Sequence, residues 1–273
     1  MTSEATPLIT GLAGAFVHSV RSLLGVCDEM DDEDWDRDTD LAGWSVGDVV
    51  AHISAIECEL AGDPVAVPPD DYGPHVRDAF GRHMEDGVAA RRGMGRTAVV
   101  AELRGALDRR VPQLRAMRVD DPPQRVPAGK PWDTLTFLNN RVIDAWVHEQ
   151  DVRRAVGRPG NLDGLGAHVV QATVRRSLPY VLAKRAGAAP GSSVRLDVTD
   201  GLPARFAARV TDAGRGEEVD ADEITAPTAT AALGWEALVV LFGGRRPLDR
   251  VTVEVGGDAA LAASVLSGLA LTP

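Results

Sequence analysis

Three side chains of metal-ligand type stand far apart in the chain. His52 closes the run Gly43-Trp44-Ser45-Val46-Gly47-Asp48-Val49-Val50-Ala51-His52, and Asp144 and His148 lie much later, in Arg141-Val142-Ile143-Asp144-Ala145-Trp146-Val147-His148-Glu149-Gln150-Asp151. Asp144 and His148 are four apart, so on one helix they share a face. If the segment carrying His52 packs alongside, two imidazoles and a carboxylate meet. Three protein ligands with a fourth position open form a catalytic metal site rather than a closed structural one.

The same residues have an ordinary reading. On a helical wheel Arg141, Asp144, His148 and Asp151 fall within a sector of roughly 80°, with Leu135, Leu138, Val142 and Trp146 opposite. Such a stripe is either a solvated, salt-bridged face or the lining of an interior cavity. Arg141 with Asp144 and Asp144 with His148 are also common helix pairs. His52 sits at the boundary of its own segment's apolar stripe, where a half-buried polar residue is unremarkable. His18, His75, His83 and His168 have no partner at metal spacing. Gly243-Gly244-Arg245-Arg246 lacks the framework of a nucleotide loop, and no Gly-x-Ser-x-Gly is present.

These side chains need helices to position them. Residues 6–30 carry Leu8, Leu12, Phe16, Val20, Leu23, Leu24 and Cys27 at helical period. An acidic loop or turn is expected over 31–40. Ser45 with Asp48 forms a capping-box-like pair ahead of Val46, Val49, Val50, Ile53, Ile56 and Leu60. That helix should stop by Gly62-Asp63-Pro64. Helices are expected at 75–93, 97–117 and from Asp133 or Thr134 to Ala155 or Val156, with a loop from Asp121 to Pro131 between the last two. Gly157-Arg158-Pro159-Gly160 is a stop. A helix over 164–186 follows, then strand-like stretches at 194–198, 205–210, 225–233 and 251–255, with helices at 235–242 and 257–269. The expectation is an α+β protein: a helical bundle over 1–160 and a small α+β domain over 161–273.

The chain has 273 residues, 44% hydrophobic and 25% charged, with a net charge of -11 and a pI near 5.0. This is a globular composition, and its acidity argues against nucleic acid or anionic membrane as partner. The first thirty residues lack the regions of a signal peptide, and no run of about eighteen apolar residues suggests a span, so a cytoplasmic protein is expected. Cys27 and Cys58 read as buried apolar residues. Thiol chemistry would therefore need a thiol from outside.

The motif Gly43-Trp44-Ser45-Val46…Asp48-Val49-Val50-Ala51-His52 resembles the second-helix signature of the mycothiol-dependent maleylpyruvate isomerase family, within the DinB-like four-helix bundles. Arg141…Asp144-Ala145-Trp146-Val147-His148-Glu149-Gln150-Asp151-Val152-Arg153…Gly157-Arg158-Pro159-Gly160 resembles its metal-binding helix. Gly243 to Asp249, Gly256-Gly257-Asp258 and Val265 to Pro273 resemble its sterol-carrier-like C-terminal domain.

The resemblance implies a divalent metal, usually zinc, on His52, Asp144 and His148, with Asp144 standing where the isomerase is expected to carry Glu. It also implies mycothiol, the low-molecular-weight thiol of actinobacteria, as co-substrate, together with a small-molecule electrophile. A thiol on zinc is deprotonated at neutral pH. Its reversible addition to an activated double bond permits rotation and cis–trans isomerisation; a stable adduct would be thiol transfer. Anionic substrates would call for a cation, for which Arg82, Arg245 and Arg246 are candidates. Glu149 or Asp151 would orient His148 from behind. The rival reading is a catalytically silent metal-binding bundle with a structural or regulatory role.

Overall fold

A long amphipathic segment opens the chain. In the computed structural model, which describes residues 2–122 and 131–272, it forms α1, Thr2–Glu29. Phe16, Val20, Leu23, Leu24 and Cys27 are all buried along one stripe. Most of the loop expected over 121–131 lies outside the described residues. The acidic segment after α1 is not all loop: Asp31 caps a single helical turn, α2, Asp32–Trp35, by accepting from the Asp34 N–H.

The capping pair at Ser45 forms as its spacing suggests. The Ser45 hydroxyl accepts from the Asp48 N–H at 3.2 Å, and the Asp48 carboxylate accepts from the Ser45 N–H at 3.1 Å. They start α3, Val46–Ala61, which Gly62 closes in the left-handed conformation at φ 103. The following helices are α4, Ala79–Ala89, and α5, Arg96–Ala116. Asp133 then caps α6, Thr134–Ala155. Helix α1 lies against α5 and α6, and α3 lies against the same two, so these four helices close a bundle, with α4 laid on α3.

Residues 6–29 of α1 have the length and mean hydropathy of a membrane span, although His18 and Arg21 interrupt the apolar run. Their apolar stripe is spent inside the bundle, as in a core helix of any large domain. The chain separates into two compact units, Met1–Asn161 and Leu162–Pro273.

The second unit begins with α7, Leu165–Tyr180, which runs into a π-helical turn at Val181–Arg185. Its sheet has the order β3-β2-β1-β4-β5, with β1 Ser193–Val198, β2 Ala204–Val210, β3 Gly216–Val219, β4 Ala229–Leu233 and β5 Glu254–Gly257. Strand β1 runs parallel to β4, Val194 opposite Ala229, while the other pairings are antiparallel. Helices α8, Trp235–Phe242, and α9, Ala259–Ser267, complete it. The unit is α+β as expected. Strand β3 was not expected, because Gly-Glu-Glu-Val carries no apolar alternation.

Candidate metal centre

The polar stripe of α6 does not face solvent. Arg141, His148, Glu149, Gln150 and Asp151 are buried, and only Asp144 keeps partial exposure, at 21% of its side chain. The stripe lines the bundle interior opposite α3, which excludes the solvated-face reading.

There α3 presents His52. Its Nε2 lies 3.5 Å from Asp144 Oδ1, and His148 Nε2 lies 3.6 Å from the same oxygen. The two imidazole centroids are 4.8 Å apart. One ligating atom from each of the three residues falls within 4.8 Å of the others. Two donors each about 2.1 Å from a tetrahedral ion are separated by about 3.4 Å, so the observed spacings suit an ion between them. His52 adds a second observation: it is 4% exposed, and neither ring nitrogen has a hydrogen-bond partner among the described residues. Leaving both buried ring nitrogens unsatisfied is costly, and a ligand to Nε2 would relieve half of that cost. Two neutral imidazoles and a carboxylate are a donor set that fits a divalent ion of the zinc type.

The electrostatics keep His52 and Asp144 in ligating form. Burial holds the His52 imidazole below its ordinary pKa and therefore neutral. Burial opposes ionisation of Asp144, but the Arg141 guanidinium outweighs it and holds the carboxyl far below the usual carboxylate range.

Each donor is held from behind. His148 Nδ1 lies 3.2 Å from Asp151 Oδ2, so donating there leaves the Nε2 lone pair facing inward. Asp151 is also ion-paired with Arg154, which reaches Asp40 at 3.1 Å. Arg141 donates to Asp144 Oδ2 at 2.9 Å, leaving Oδ1 for the histidines. Glu57 of α3 accepts from Arg141 at 3.0 and 2.8 Å and from Arg110 at 3.1 Å. Over the histidines lies Trp44, its ring centroid 4.9 Å from His52 and 6.3 Å from His148. The indole N–H donates to buried Glu85 at 2.8 Å, and Glu85 is paired with Arg92 at 2.6 Å and His75 at 3.2 Å.

Asp151 thus stands where a histidine-orienting carboxylate must. Glu149 does not: its carboxylate takes Ser22 at 2.6 Å, Arg153 at 2.7 Å and Asn161 at 2.7 Å, on the α1 side of the helix. One residue beyond His148, it is turned about 100° around α6. Arg82 is exposed on α4, and Arg245 and Arg246 belong to the second unit, where Arg245 donates to the Gly243 carbonyl at 2.6 Å. Sequence reading missed Glu57, Arg110 and the Trp44–Glu85 bond. Glu57 alone left a trace, as a carboxylate within the apolar run Ile53 to Cys58.

The family model described as "Mycothiol maleylpyruvate isomerase N-terminal domain" matches residues 16–153, just over half of the chain. Two solved structures match 93% of this chain over 93% of their own, each at 14% identity: the mycothiol-dependent maleylpyruvate isomerase, at a TM-score of 0.51, and its H52A mutant, at 0.50. At that identity the likeness is one of fold. No curated protein matches.

Proposed function

The chain belongs to the family of the mycothiol maleylpyruvate isomerase N-terminal domain, and we propose that it is a divalent-metal enzyme that uses mycothiol on an activated electrophilic small molecule, by cis–trans isomerisation or thiol transfer. His52, Asp144 and His148 would hold the metal, which the donor set suggests is zinc. The observation that carries the reading is the buried His52, both of whose ring nitrogens lack a hydrogen-bond partner among the described residues, set against a carboxylate oxygen that also faces His148.

With metal and thiol bound, the chemistry supplied is a sulfur nucleophile deprotonated at neutral pH, whose reversible addition to a double bond converts isomerisation into rotation about a single bond. The protein's own groups do the positioning. Asp151 holds the proton of His148 on Nδ1. Arg141 occupies one oxygen of Asp144, so the carboxylate offers the other. Trp44, anchored by Glu85, forms an apolar wall beside the two imidazoles and limits water there. Cys27 and Cys58 are buried and unpaired, with their thiols pushed up by burial, so the nucleophile has to be a guest.

The test is metal analysis of the purified protein, then thiol consumption with mycothiol over maleylpyruvate and a panel of electrophiles, with and without chelator. The expected result is about one divalent ion per chain, chelator-sensitive consumption, and loss of both on His148→Ala. Protein without metal, or consumption indifferent to chelator, would refute the reading. Metal without thiol binding would favour the silent bundle.

A further inference from the structure

A cavity of about 80 Å³ lies between α3 and α4, with His52 in its lining. Along α3 its wall is His52, Ala55, Ile56 and Glu59, which stand at i, i+3, i+4 and i+7 and so share one face. Seven residues at about 1.5 Å each make this face about 10 Å long. The inner end is lined by buried His52. At the outer end His83 of α4 bonds Glu59 at 2.9 Å, and both are about a third exposed, at 35% and 32% of their side chains. The third wall is the loop at 64–66. It is pinned to α4 and its extension, Arg91 donating to the Val65 carbonyl at 3.1 Å and the Val67 N–H to the Asp86 carbonyl at 3.0 Å. Gly87 fixes the width, since a Cβ there would lie 2.7 Å from the Ala55 Cβ.

We infer that this cavity receives a short, uncharged aliphatic group of the electrophile; the assignment rests on the metal centre proposed above, next to which the cavity ends. Size sets the length. A cavity of about 150 Å³ admits benzene, so this one holds about half as much, roughly three heavy atoms in a row. The lining sets the polarity. Ala55, Ile56, Val65 and Met84 offer only apolar surface, and the ionisable residues are His52, His83 and Glu59. Among the described residues no Arg or Lys lines it and Glu59 stands at its mouth, so a carboxylate would enter against a like charge and lose its water among apolar side chains.

The experiment needs neither metal nor turnover. The Met84 methyl resonance, assigned with Met84→Leu, is followed in protein carrying ¹³C-methyl methionine while 1-alkanols from methanol to hexanol, and propionate, are added. A saturable shift with 1-propanol, weaker with hexanol and absent with propionate, is expected. Val65→Trp, a change at a residue 53% exposed on the rim, should abolish it without disturbing the core. In the metal-loaded enzyme, α,β-unsaturated ketones should show kcat/KM rising about tenfold or more from a methyl to a propyl substituent and falling again at hexyl. No Met84 shift with any alkanol, or propionate binding as well as propanol, would overturn the assignment. Alkanol binding in a protein that consumes no thiol would count against the proposed function and leave a site for a short aliphatic group with no electrophile to supply it.

Discussion

Asp151→Asn is the sharpest probe of the centre. The side chain is fully buried, with one oxygen 3.2 Å from His148 Nδ1 and the other on Arg154. Asparagine keeps the shape and removes the charge. If its oxygen faces His148, the amide N–H₂ is turned on the Arg154 guanidinium, donor against donor. If it flips, the amide faces Nδ1 as a donor, and the imidazole must move its proton to Nε2, where it blocks the lone pair. Both arrangements weaken His148 as a ligand. Partners of this kind contribute about 10–100-fold to metal affinity, or about 1.4–2.7 kcal/mol. The measurement is competition with a chromogenic chelator, with urea melts of the metal-free protein as the stability control. Glu149→Gln is the matched comparison. It neutralises the neighbouring buried carboxylate, which bonds Ser22, Arg153 and Asn161. It should leave metal affinity within about twofold while it lowers stability through the lost charge-assisted bonds. The reasoning is refuted if Asp151→Asn binds metal as the parent does, or if Glu149→Gln loses as much.

Other outcomes follow from the same network. Glu57→Gln leaves the Arg110 and Arg141 guanidiniums facing a neutral group in the core; a loss of about 3 kcal/mol in urea unfolding is expected, and a loss under about 1 kcal/mol would show the pairs to be solvent-relieved. Burial lowers the folded-state pKa of His52 below its ordinary 6.5, so the contribution to stability is present above the unfolded value and is lost as pH falls. Metal-free protein should therefore weaken below about pH 6.5, with up to about 1.4 kcal/mol per pH unit from this proton, and His52→Gln should flatten that slope in urea titrations across the range. Cys27, whose thiol burial pushes up to about 12, and Cys58 should resist iodoacetamide at neutral pH in the folded protein and react in urea; alkylation of the native chain would contradict their burial.

What was legible in the sequence was what repeats locally. The Ser45–Asp48 box, the Gly62 stop and the apolar period of α3 and α6 each depend on residues within a few positions of one another, so their geometry follows from the string. Whether the α6 stripe faced water or a cavity could not follow, because it depends on what covers it from another helix. Arg141, Asp144 and His148 are common enough on a wet surface; burial under α3 changes their meaning. The partners missed, Glu57 at 84 residues from Arg141 and Glu85 at 41 from Trp44, act only across helices. Strand β3 escaped for a related reason: Glu217 and Glu218 are held by register against Arg209 and Ala208 of β2, not by an alternation of their own.

The buried charges also bear on why a thiol would suit this centre. From Arg110 through Glu57, Arg141, Asp144 and Asp151 to Arg154, three guanidiniums meet three carboxylates. These six charges cancel without a metal, which is why so many ionised groups can be tolerated inside a bundle. A dication added on Asp144 would bring two uncompensated positive charges into that interior. Asp40, the further carboxylate on Arg154, is 19% exposed and stands two residues removed from the ligands, so it offsets little of this. A neutral fourth ligand would leave the imbalance whole; an anionic one would halve it. The protein thus holds its carboxylates in pairs with arginine, and with a metal on Asp144 this would raise the gain from deprotonating whatever occupied an open position. A site built to retain an ion for structure would do the reverse, supplying the missing negative charge from its own side chains.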